Sequence, residues 1–126
     1  MPIRIPRERF RQIVREELNY FPRRFRDRVR NCVVLIEDYP PAERPRRGRP
    51  RALRPKKKTM GVYIGRPLPY RSVFDISLGP DQVVLYQRNI ESICRTEADV
   101  REQVRLTIIH ELGHYFGLEE DDLWDV

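Results

Sequence analysis

Histidine is nearly missing from this chain: His110 and His114 are the only two among 126 residues. Cysteine is as scarce, at Cys32 and Cys94. Two cysteines exclude the dense disulfide framework of a small secreted scaffold, and both are expected to be reduced residues in or near a core. No apolar run approaches the roughly 20 residues that a membrane-spanning helix needs. The opening stretch MPIRIPRERFRQIVREEL is charged throughout and offers no apolar segment suited to a signal peptide. The expectation is a soluble, cytoplasmic protein with no membrane partner. No internal repeat is present. The length supports one domain with a modest core, so residues 1–126 are expected to form a single domain.

Acidic residues are absent from one stretch in particular. Residues 44–58, RPRRGRPRALRPKKK, hold nine of the 25 basic residues and no carboxylate. Without them the chain has 16 basic against 19 acidic residues, so the net charge of +6 belongs to this segment alone. Between Pro40 and Lys58 there are also five prolines. Such a segment buries too little apolar surface to order itself, so a flexible basic loop is expected over about 40–58. It lacks interleaved aromatics for stacking on bases, but nine positive charges suit an anionic partner such as a nucleic acid. It also reads as a solubilising insertion.

The apolar residues that are present set out a plan. Pro6 suits the first turn of a helix, and Phe10, Ile13, Val14, Leu18 and Phe21 form one stripe. Proline disfavours helix before it, so an interruption is expected at Phe21-Pro22, with a short second turn through Phe25 and Val29. CVVLIED (32–38), TMGVYIG (59–65) and DQVVLYQR (81–88) read as strands, and SVFDISL (72–78) as a further extended piece. A last helix starts at Thr96 as N-cap, with Asp99 completing a capping box and Glu97 favoured by the helix dipole. Val100, Val104, Ile108, Leu112 and Tyr115 form one apolar row on it. Leu106, Ile109, Gly113 and Phe116 form another, so this helix is expected to be buried. Gly117 is placed to end it in a left-handed turn.

Both histidines fall on that helix, in HELGHYFGLEE (110–120). Positions 110 and 114 lie one turn apart on one face. Two imidazoles so placed can occupy two corners of a tetrahedral zinc site. Glu111 is near enough to take a proton from a water that the metal activates, the H-E-x-x-H arrangement of a metallopeptidase. A histidine on a buried helix also serves as an ordinary hydrogen-bonded core residue. Against that reading, no other histidine exists, the surrounding helix is apolar so polar groups need a partner, and the motif extends. Hydrolytic zinc needs a third protein ligand beside an open position. Ten residues after the first histidine, where H-E-x-x-H-x-x-G-x-x-H peptidases carry it, stands Glu120. Glu119, Asp121 and Asp122 surround it, and LEEDD also reads as a solvated acidic end.

On these residues the chain resembles the minimal zincin family, small metallopeptidase-like bacterial proteins with an H-E-x-x-H-x-x-G-x-x-D signature. The resemblance takes in ELNYFPRRFRDRVRNCVVLIEDYP (17–40), GVYIGRPLPYR (61–71), VVLYQRNIE (83–91) and REQVRLTIIHELGHYFGLEEDDL (101–123). It implies an α+β fold, a small mixed sheet packed against N-terminal helices and a buried C-terminal helix that bears the motif. It implies one zinc per chain held by His110, His114 and Glu120, with Glu111 as general base acting on a peptide or protein substrate. The family's aspartate is a glutamate here, one methylene longer, which leaves Asp121 as a substitute ligand. Substrate is expected to add as a strand to an exposed sheet edge, and VVLYQR (83–88) is the candidate edge. Tyr63, Tyr86, Arg66, Arg71 and Arg88 are the available donors for an oxyanion. Three readings stay open: a zinc peptidase, a weak or inactive zincin-like binding protein, and a nucleic-acid module working through the basic segment. A metal serving stability alone is a further possibility.

Overall fold

A computed structural model describes residues 1–23, 26, 32–44, 58–65 and 81–115, with His114 and Tyr115 described in backbone only. The turn through Phe25 and Val29, the extended piece at 72–78, most of the basic segment and the glycine turn at 117 lie outside the described residues.

Helix α1 spans Arg7–Asn19, with Pro6 one residue ahead of it as N-cap in extended conformation. Proline thus precedes the first turn instead of occupying it, and its carbonyl accepts the Phe10 N–H at 3.0 Å. The expected stripe is the buried face: Phe10, Ile13 and Val14 are inside, and Phe21 tucks in just past the helix end. Leu18 is partly buried against the same core. One buried residue on this face was not anticipated. Glu17 is 4 % exposed, and its carboxylate accepts from Arg105 Nε at 3.2 Å with Arg101 Nη1 at 3.6 Å. A buried carboxylate needs such partners, and both come from the last helix.

Strand β1 (Cys32–Glu37) pairs in parallel with β3 (Asp81–Tyr86), and β2 (Gly61–Ile64) pairs antiparallel with β3. The order β1-β3-β2 puts β3 in the middle of a mixed three-stranded sheet. This overturns VVLYQR (83–88) as the exposed edge: residues 83–85 are paired on both sides, which is why they are apolar and buried. Nor does the strand reach Arg88. It turns at once into the short helix α2 (Gln87–Ser92). That helix is stitched to the N-terminal arm, since Glu91 Oε2 accepts the Ile5 N–H at 2.8 Å and Gln87 Nε2 donates to the Ile5 carbonyl at 3.0 Å.

Helix α3 (Glu97–Tyr115) begins with the expected reciprocal cap. The Asp99 N–H donates to Thr96 Oγ1 at 3.1 Å, and the Thr96 N–H donates to Asp99 Oδ2 at 3.2 Å. Backbone N–H groups of Arg95 and Thr96 hold the Asp99 carboxyl below its usual pKa. Val100, Val104, Ile108 and Leu112 are fully buried, whereas Leu106 and Ile109 on the second row are only half-buried. Packing of α3 against α1, α2, β2 and β3 joins these elements into one apolar cluster. The architecture is α+β. Among the described residues no helix is long and apolar enough to cross a membrane.

Candidate metal centre

The second half of α3 runs past the start of β2, and a cavity of about 370 Å³ opens between them. From α3 it is lined by Gln103, Leu106, Thr107, His110 and Glu111. The opposite lip is the segment Lys58, Thr59, Met60 and Gly61. His110 and Glu111 are half-buried, suited to groups that must stay in reach of a ligand. The helix continues unbroken to Tyr115, so position 114 follows His110 by one turn on the same face. The His114 side chain, Glu120 and Asp121 lie outside the described residues. Among the described residues no three potential metal-binding side chains come together.

Gly61 decides how closely the lip approaches the helix. A Cβ at this position would stand 2.7 Å from Thr107 Cγ2 and 2.9 Å from the Val84 carbonyl oxygen. The second contact is to central-strand backbone, which has nowhere to go. Gly61→Ala is therefore expected to destabilise the fold by ~1–3 kcal/mol through overpacking, measured by urea unfolding. Adding Thr107→Ser should recover only part of the loss, because it removes one of the two contacts.

The lip is held from behind. Glu43, in a 3₁₀ turn at Pro41–Glu43, accepts at Oε1 from the Thr59 N–H at 3.2 Å and from Asn89 Nδ2 at 3.0 Å. Asn89 Nδ2 also donates to the Thr59 carbonyl at 2.8 Å. The two ends of the basic segment are thereby clasped together, with Asn89 of α2 buried beneath them.

Two of the five oxyanion donors suggested by residue type, Tyr63 and Arg88, are engaged elsewhere. Tyr63 donates its hydroxyl to Asp81 Oδ2 at 2.5 Å. Arg88 pairs with Glu91 at 2.7 Å and Asp38 at 3.5 Å. Arg66 and Arg71 lie outside the described residues. Tyr86 is buried at the end of β3, and its phenol is pushed above the usual pKa by burial, then by the carboxylates of Glu37, Glu43 and Glu111. It is therefore a neutral O–H near Glu111, although it does not line the cavity. Neither Cys32 nor Cys94 is in a disulfide. Burial raises Cys94 to about 11, so at neutral pH it is a core residue and not a nucleophile.

Gln103 and Thr107 were not singled out by motif reading. Their side chains are bonded to each other, Gln103 Nε2 to Thr107 Oγ1 at 3.0 Å. Counting back from Glu111 by fours gives 107 and then 103, so one helical stripe carries all three. That spacing was a usable signal. The opposing glycine was not, because only the pairing of β2 with β3 brings it there.

With this geometry in place, a comparison with protein families matches residues 29–126 to the family described as zincin-like metallopeptidase. A comparison with curated proteins finds no match.

Proposed function

The chain belongs to the zincin-like metallopeptidase family, and from that premise we propose that it is a zinc-dependent hydrolase of peptide bonds. The observation that carries this reading is the shared wall: His110 and Glu111, adjacent on α3, line one solvent-reaching cavity, and the helix runs on through position 114. Two imidazoles one turn apart with a carboxylate are a donor set within zinc's chemistry. His110, His114 and Glu120 would hold the ion, with Asp121 the competing third ligand. When bound, zinc would supply Lewis acidity, polarising the scissile carbonyl and lowering the pKa of water.

The chain's own groups do the rest. The Glu111 carboxylate accepts the proton of the attacking water and returns it to the leaving amine. Substrate is placed along β2 instead of β3, since among the described residues β2 is an outer strand of the sheet and its start borders the cavity. Gly61 keeps that strand close enough to α3 for an added chain to pass over His110 and Glu111.

Elemental mass spectrometry on protein purified without a histidine tag or chelator tests the metal. One zinc per chain is expected, and Glu120→Ala should deplete it. Depletion in Asp121→Ala instead would move the third ligand by one residue, and no zinc in the parent protein after incubation with the metal would overturn the reading. A second reading, a zincin-like protein that binds peptides with little or no cleavage, is favoured by one observation. Tyr63 and Arg88 are already committed to Asp81, Glu91 and Asp38, so neither is available to an oxyanion.

A further inference from the structure

Among the described residues, strand β1 is the outer strand of the sheet opposite β2, at the far edge from the cavity beside His110. Its backbone groups divide into two sets. Along a strand, alternate residues direct both N–H and C=O toward one neighbour, and the residues between them direct both the other way. The Tyr86 N–H donates to the Met60 carbonyl at 2.9 Å, so even-numbered residues of β3 face β2 and odd-numbered ones face β1. Val83 and Leu85 are in register with Val34 and Ile36. In a parallel pair their bonds go to the residues that flank those partners, positions 33, 35 and 37. Val34 and Ile36 therefore direct their own N–H and C=O groups outward. Arg7 takes up one of these, donating from Nη1 to the Ile36 carbonyl at 2.8 Å. The outward N–H and C=O of Val34 have no partner among the described residues.

A groove of about 460 Å³ runs along this edge, between β1 and α1. Val14 and Leu18 of the helix, with Val34 and Ile36 of the strand, give it an apolar lining. Arg11 and Arg15, one turn apart on α1, also line it, and no carboxylate does. Arg11 pairs with Glu8, whereas Arg15 has no ion-pair partner among the described residues. The strand's own carboxylates are directed elsewhere. Asp38 is held by Arg7 and Arg88, and Glu37 alternates to the other face of the sheet with Val33 and Leu35.

We propose that this groove binds an extended peptide that adds to β1 as a further strand. An apolar side chain of the peptide packs on Val14, Leu18 and Val34, and an acidic side chain two residues away pairs with Arg15. The unpaired Val34 N–H and C=O supply the backbone bonds of strand addition, and residues two apart on an added strand share a face. A second copy of the chain fits the groove less well. Two copies meeting through it about a two-fold axis would set Arg11 and Arg15 against the same arginines. The proposal is independent of the zinc reading.

The test is fluorescence anisotropy on the full chain with the labelled peptide Thr-Glu-Thr-Val-Thr-Glu-Thr. One control peptide has Gln in place of Glu. The other carries N-methyl groups on the Val amide and on the amide after it, which removes the backbone donor for either strand direction. The parent is expected to bind the Glu peptide about tenfold tighter than its N-methylated twin, through the lost backbone bond. At ~0.05 M salt the Glu peptide should also bind about threefold tighter or more than the Gln peptide. That second preference should disappear in Arg15→Gln and persist in Arg15→Lys, and Glu111→Gln should bind as the parent does. An N-methylated peptide that binds equally well would overturn the proposal, as would a Glu-over-Gln preference that survives Arg15→Gln. So would the absence of binding at ~1 mM peptide. A tenfold loss in Glu111→Gln would move the peptide to the candidate metal centre and also overturn it. A parent chain that sediments as a dimer and is dissociated by the peptide would give the edge to a second copy, with the same consequence.

Discussion

Glu111→Gln is expected to lower kcat/KM for peptide hydrolysis by about 10²–10⁴-fold, the usual contribution of a positioned general base. The amide keeps the size and most of the hydrogen-bonding shape of the carboxylate but cannot accept the water's proton. Because Glu111 is half-buried on the cavity wall and outside the apolar cluster, the substitution should leave the urea midpoint close to the parent's. Zinc content should also be unchanged, since the proposed ligands are other residues. These three readouts separate the possibilities. Lost activity with intact fold and metal is the signature of the base. Lost metal would make Glu111 a ligand, and unchanged activity would assign the observed hydrolysis to another group or to a contaminant.

Phe10→Ala is expected to cost about 3–5 kcal/mol of stability, the range for removing a buried aromatic side chain. Phe10 is 0 % exposed and shares the core cluster with Val100, Val104, Ile108 and Leu112 of α3. Its loss removes apolar burial and leaves a void that helix α1, held at its base by the Glu17 pairs with Arg101 and Arg105, cannot close by sliding. Against a typical net stability of ~5–15 kcal/mol, that is a third or more of the total. Urea unfolding measures it, and a loss below about 1 kcal/mol would mean that α1 is not part of the cooperative core. The same variant should bind zinc more weakly when partly unfolded, because the helix bearing His110 is the one that Phe10 braces.

Periodicity in this sequence was readable where one element faces one environment. The α1 stripe, the strand at 32–37, the capping box at Thr96 and the buried row of α3 all follow from local spacing, and so does the pairing of His110 with Glu111. What local spacing could not show was how elements meet. VVLY looks the same whether a strand is an edge or a centre, and only its double pairing with Cys32–Glu37 and Gly61–Ile64 distinguishes them. Helix α2 was missed because six residues are too few for a helical period to emerge, and its support is tertiary, from Ile5 and Glu43. Glu17 sat unnoticed on an apolar face because its partners are more than 80 positions away. The cavity lip is of the same kind. Gly61 and Lys58 became site residues through the sheet and through a clasp that spans 16 positions.

Placing β3 between β1 and β2 also constrains the order in which the chain can fold as it is synthesised. Cys32 pairs with Asp81, and Gly61 with Leu85, so the first two strands have no common partner until the third has emerged. The N-terminal arm waits still longer, since Ile3 and Ile5 find their bonds at Cys94 and Glu91. Contacts this distant in sequence are slow to form, because the intervening loops must close before any of them is rewarded. A nascent chain stopped short of residue 81 therefore exposes Val34, Ile36 and the apolar side of α1 with nothing to cover them, the kind of surface that aggregates or recruits chaperones. Folding becomes favourable only when α3 arrives, so the helix that bears the histidines also completes the core.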